Sequence, residues 1–106
     1  MPKYLFEATY TPEGVQGLKE AGAASRAKAV NDMGAGLGGG LEAFYFAFGD
    51  VDAYVVVDLP DDEAAAAAAL TVGTTGSLQV STVKLLTLEE ADAAIARSVD
   101  YRPPGS

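Results

Sequence analysis

Two groups of side chains in this 106-residue chain have types and spacings that could do chemistry. The first lies in "FGDVDAY", residues 48–54, where Asp50 and Asp52 stand two apart beside Gly49. Paired carboxylates can hold a hard cation, but Mg²⁺ or Ca²⁺ wants about six or more oxygens, and the further acids and closing Glu of a calcium loop are missing. Turn chemistry accounts for the pair more simply. Asp50 tolerates a positive φ, and Asp52 accepts backbone N–H bonds. No metal site is expected.

The second group is Tyr4, Tyr10, Tyr45 and Tyr54, with Arg26 and Lys28 on a long helix. Tyrosines that face a cleft between sheet and helices would line an apolar pocket with hydroxyls at fixed points. Arg26 could then hold a carboxylate or an enolate. The competing account is an aromatic core with a solvated basic helix face. Asp58, near a helix start, either lines such a pocket or is a solvated strand end.

The absences prune more than these groups add. With no cysteine there are no disulfides, thiolate nucleophiles or zinc–sulfur sites. With no histidine there is no ordinary neutral-pH acid/base and no Ser-His-Asp or Cys-His arrangement. Any general base must be a perturbed Asp, Glu, Lys or Tyr. Fifteen acids against seven bases give a net charge of −8, a field that repels nucleic acid and anionic membranes. No apolar run is long enough to span a bilayer, and "MPKYLFEATY" lacks a signal-peptide core, so a soluble cytoplasmic protein is expected. Nothing requires a cofactor.

The elements that must position these residues follow from periodicity. "KYLFEATY" (3–10) alternates, with Tyr4, Phe6, Ala8 and Tyr10 on one side, and reads as a strand. Thr11 caps a helix that Pro12 opens and Glu13 favours electrostatically. Gly22 interrupts it, and Ser25 looks like the cap of a second, longer helix reaching about Leu37. "GAGLGGG" (34–40) formally satisfies G-x-G-x-x-G, yet it follows a helix and precedes a strand. That order presents the wrong dipole end to a phosphate, so a helix C-cap and loop is the better reading.

"LEAFYFAFG" (41–49) and "DAYVVVDLP" (52–60) are strands separated by Asp50 and Val51 alone, hence a tight antiparallel hairpin. "DDEAAAAAAL" (61–70) begins a helix whose leading acids suit its dipole. "SLQVSTVKLL" (77–86) is the fourth strand. Thr87 and Glu90 form a capping box for a last helix ending near Val99, and "YRPPGS" is an extended tail. The tail lacks a full P-x-x-P, which favours a frayed end or an arm over a partner chain above a polyproline ligand.

The order β-α-β-β-α-β plus a terminal helix is the ferredoxin-like, α+β arrangement, one domain over 1–99 with a tail at 100–106. Two helices cover one face of a four-stranded antiparallel sheet. The other face should then be polar in a monomer, and it is not. Leu41, Ala43, Tyr45 and Ala47 share one side of the second strand, while Phe44, Phe46 and Phe48 share the other. In the third strand Tyr54, Val56 and Asp58 oppose Ala53, Val55, Val57 and Leu59. Strands apolar on both sides want cover on both sides. A second copy stacked face to face is favoured over the terminal helix folding back.

"FGDVDAYVVVDLPDDEAAAAAAL" resembles the central signature of the GYD domain family. Gly49 and Asp52 stand at its Gly and Asp positions, and Pro60, Asp61, Asp62 and Glu63 match its helix start. "MPKYLFEATYTPEG", "LGG" at 37–39 and the Thr-rich fourth strand extend the likeness over roughly 1–95. Val51 stands where the family has tyrosine, so no role of that phenol carries over. The resemblance implies a dimeric α/β barrel and leaves activity open. A homodimer with a small apolar or aromatic ligand is the expectation. A cofactor-independent enzyme of the barrel type (monooxygenase- or isomerase-like) and a purely structural interaction domain are the alternatives, since fold does not transmit function.

Overall fold

The computed structural model describes residues 1–47 and 49–105. The first strand, β1, covers Lys3–Tyr10. Thr11 ends it and caps α1 (Pro12–Ala21), its side chain accepting from the Gly14 amide at 3.2 Å. Gly22, at φ 88°, separates α1 from α2 (Ala23–Gly36) and is itself the N-cap, without a side-chain bond. Ser25 therefore lies inside the first turn of α2 and caps nothing. β2 (Gly40–Phe46) and β3 (Ala53–Asp58) follow, then α3 (Asp62–Gly73), β4 (Leu78–Leu85) and α4 (Leu88–Ile95). Asp61 caps α3 through the Ala64 amide, and the Thr87–Glu90 capping box opens α4.

The glycines after α2 are a helix stop. Gly38 turns the chain at φ 91°, while the Gly39 and Gly38 amides donate to the Gly34 and Ala35 carbonyls at 2.8 and 3.1 Å. This is the Schellman pattern. Gly39 also meets the end of β3 so closely that a Cβ there would sit 1.7 Å from the Asp58 carbonyl oxygen. The motif holds backbone against backbone.

The sheet is antiparallel throughout, in the order β2-β3-β1-β4, so the ferredoxin-like α+β arrangement is present. α2 lies along β2 and α3 along β4, both on one face. There Tyr4, Phe6 and Ala8 of β1 and Ala53, Val55 and Val57 of β3 meet Val30, Ala65 and Ala68, and all are buried. Strand alternation puts these residues on one side with period two, which is why both central strands read apolar at every second position.

Several expectations need correcting. The β2–β3 connection runs from 47 to 52, six residues rather than two, so both strands are shorter than the alternation suggested. Asp50 has no positive φ, since among the described residues only glycines do. A register shift between Leu41 and Ala43 pairs Leu41 with Val57 and Ala43 with Val56. Leu41 thus packs on the helix-covered core, opposite to the side its spacing from Ala43 implied. One extra residue in the strand reverses the alternation. Phe48, assigned by alternation to the Phe44–Phe46 side, lies outside the described residues.

Among the described residues no helix lies over the other face. Ala43, Val56, Leu5 and Val83 form one row across the sheet, with Tyr45, Tyr54, Glu7 and Ser81 the next. Tyr45 is 71% exposed and Tyr54 40%. α4 does not fold back over this face, for none of its residues is buried. The radius of gyration is 16.8 Å, against ~13 Å for a compact chain of this length, because α4 and the tail extend away from the sheet. No helix among the described residues is long and apolar enough to cross a membrane.

Candidate functional site

β1 carries two tyrosines on its helix-facing side, and their surroundings differ. Tyr4 is 2% exposed, and its hydroxyl donates to Asp62 at the start of α3 at 2.5 Å. Lys84, opposite Tyr4 on β4, donates to the same carboxylate at 3.1 Å and stands 5.7 Å from the Tyr4 ring centre. The Asp62 bond, with burial behind it, pushes the Tyr4 phenol up to about 12. The same bond, then Lys84, holds Asp62 below the usual carboxylate range. Each member has a partner, so this group clamps α3 to the sheet. It is not a free acid/base.

Tyr10, at the other end of β1, borders a cleft. Phe6 and Ala8 of β1, Val55 of β3 and Phe44 of β2 form its floor, with Leu78 and Val80 of β4 beside them. Arg26 and Val30 of α2 and Ala68, Ala69 and Val72 of α3 form the walls. About 430 Å³ is free of atoms there, part of it open to solvent. The space exists because α3 and β1 offer alanine where a leucine would fill the layer.

Arg26 reaches the cleft by helix periodicity. Arg26, Val30, Met33 and Leu37 recur at the spacing of one helix face, and the last three pack on the core. Arg26 takes the outermost place on that stripe, half-buried beside Tyr10. Burial raises the Tyr10 phenol, and the neighbouring guanidinium draws it back down. The Tyr10 ring stacks on Phe46 at 6.4 Å, and Phe46 packs on Phe44 at 5.0 Å. The mouth is an aromatic rail ending in one phenol and one cation.

The candidate residues are thus divided. Tyr10 and Arg26 come together at the cleft, and Tyr4 belongs to the closed core. Tyr45 and Tyr54 are cross-strand neighbours on the uncovered face. Asp58 is on that face as well, accepting from Lys3 at 2.8 Å, while Glu42 takes the same ammonium at 2.6 Å. Lys28 points to solvent and pairs with Asp32 at 2.9 Å along its own helix. Gly49 and Asp50 are exposed in the β2–β3 connection.

Asp52 has a longer reach than turn chemistry implied. Its carboxylate accepts from the Tyr10 amide at 2.9 Å, and its own amide donates to the Ala8 carbonyl at 2.9 Å. It continues the β1–β3 ladder one step before the start of β3 and fixes the backbone at Tyr10. Among the described residues no group of three His, Cys, Asp or Glu is placed to hold a metal. Reading tyrosines alone missed Phe6, Val30, Phe44, Val55 and Leu78. The helical stripe from Arg26 and the alternation from Tyr10 were the signals that could have found them.

A model of the GYD domain matches residues 4–95, from β1 through the end of α4. The chain belongs to the GYD domain family. In this GYD domain the matched segment holds the whole sheet, the cleft and the Tyr4–Asp62–Lys84 clamp. A search of curated proteins and a search of solved structures find no match.

Proposed function

We propose that this GYD domain is a homodimeric small-molecule-binding domain, with the ligand seated in the cleft at Tyr10 and Arg26. The observation that carries the reading is the open apolar cleft itself, small and lined almost wholly by apolar side chains between sheet and helices. Apolar walls with a few fixed polar atoms at the mouth are what such sites use. A cofactor-independent enzyme would need a base. Among the described lining residues only the Tyr10 phenol could accept a proton, and burial works against its ionisation. Binding therefore ranks above catalysis, and a purely structural role leaves the cleft unexplained.

The dimer part of the proposal rests on the bare face. Leu5, Ala43, Val56 and Val83 form an apolar row that no element covers. A second sheet stacked ~10 Å away would bury it. Methyl-detected NMR with benzyl alcohol and indole tests the cleft. Shifts confined to Val30, Val55, Val72 and Leu78 are expected, and shifts scattered over the surface overturn it. Sedimentation tests the dimer: twice the chain mass is expected, falling to one chain for Val56→Asp. A monomeric wild-type mass overturns that part.

A further inference from the structure

Charge sits at the cleft mouth in an unusual way for so acidic a chain. Of the two half-buried bases, Lys3 is held by two carboxylates, whereas Arg26 has no ion pair among the described residues. Glu13 borders the groove outside Arg26 and does not pair with it. The half-buried Arg26 brings a guanidinium without a counter-ion to the cleft, a flat fork of donors suited to a carboxylate. The Tyr10 hydroxyl beside it can donate to the same group. Behind them the floor is apolar and partly aromatic, through Phe6 and Phe44.

We infer that the cleft takes a small aromatic carboxylic acid, its ring against Phe6, Phe44 and Val55 and its carboxylate on Arg26 and the Tyr10 hydroxyl. This rests on the binding reading above and names the ligand class. The space is small, with about 40 Å³ open to the centres of water-sized spheres, and this limits the apolar part to one ring at most. Neighbouring rings favour edge-to-face or offset contact with another ring. The carboxylate faces outward, where water can complete its hydration.

Phenylacetate and phenylacetamide differ at the head group and match in shape, so calorimetric titration of the full chain with each separates the claims. Phenylacetate should bind about tenfold tighter, the size of effect a charge-assisted hydrogen-bonded pair supports. Arg26→Gln should bring the ratio of the two affinities close to one, and Arg26→Lys should restore part of it. Tyr10→Phe should lower the ratio by a smaller factor. Circular dichroism on each variant reports whether it is folded. Equal affinity of the wild type for acid and amide overturns the inference and leaves the cleft reading standing. Binding of neither overturns both.

Discussion

Tyr4 and Tyr10 lie on the same side of one strand, six residues apart, yet the molecule treats them differently. Tyr4 itself is buried, and its polar atom is answered. Leu59 and Val57 are 1% exposed, and the phenol, Asp62 and Lys84 satisfy one another. Around Tyr10 the layer is left short. Alanines line the cleft beside it, and the neighbouring guanidinium has no carboxylate partner among the described residues. A single sheet can thus carry a buried, fully paired tyrosine at one end and an open apolar cleft at the other, through the choice of a few side chains rather than through any change of backbone.

Core truncations should probe this contrast most strongly. Leu59→Ala at the closed end should cost ~4 kcal/mol, toward the top of the usual range, because nothing nearby can collapse into the void. Leu78→Ala at the cleft should cost ~2 kcal/mol, since solvent already reaches its surroundings. Urea unfolding of both variants measures the difference, and equal losses would erase the distinction between the ends. Enlargement should act in the opposite sense. Ala65→Leu, beside Tyr4, should cost ~1–3 kcal/mol by overpacking. Ala69→Leu should cost less than ~1 kcal/mol and block phenylacetate, because it grows into space that is already empty.

Asp52→Ala removes the acceptor for the Tyr10 amide, and a loss of ~1–2 kcal/mol is expected in the same unfolding assay. The smallest effects are those of pH. Asp62 titrates below its usual range in the fold, so its contribution is complete above the unfolded carboxylate value near ~4 and fades as pH falls through the lowered folded value. Tyr4 works with the opposite sign. Its contribution is complete below ~10 and is lost as pH rises from there to about 12. A stability profile of Tyr4→Phe should lack that alkaline arm. In the wild type, near-ultraviolet titration should show Tyr10 ionising before Tyr4, because Arg26 opposes burial at Tyr10 while every influence on Tyr4 raises it.

The contrast also marks what could be read in advance. The α+β order, the helix caps at Thr11 and Thr87, and the glycine stop after α2 were legible, because each depends on neighbours within a few residues. Arg26 and Tyr10 were named only within a wider set of four tyrosines and two bases, because the meeting of a strand end with a helix face is tertiary. Tyr4 was grouped with them wrongly, since Asp62 and Lys84 reach it only through tertiary packing. The bulge at Leu41–Ala43 was hidden as well. A single extra residue leaves no mark in a stretch where both faces are apolar.

The small side chains of α3 carry a consequence for how the cleft can change shape. The Asp61 cap and the Tyr4–Lys84 contacts to Asp62 secure one end of the helix, and the backbone needs nothing from the half-buried side chains at positions 69 and 72. Any good helix former could stand there. Substitution at these two places would remould the wall while leaving the sheet, Arg26 and the bare face as they are. The shape of the cleft can therefore drift along one helix face, at little risk to the scaffold that holds it.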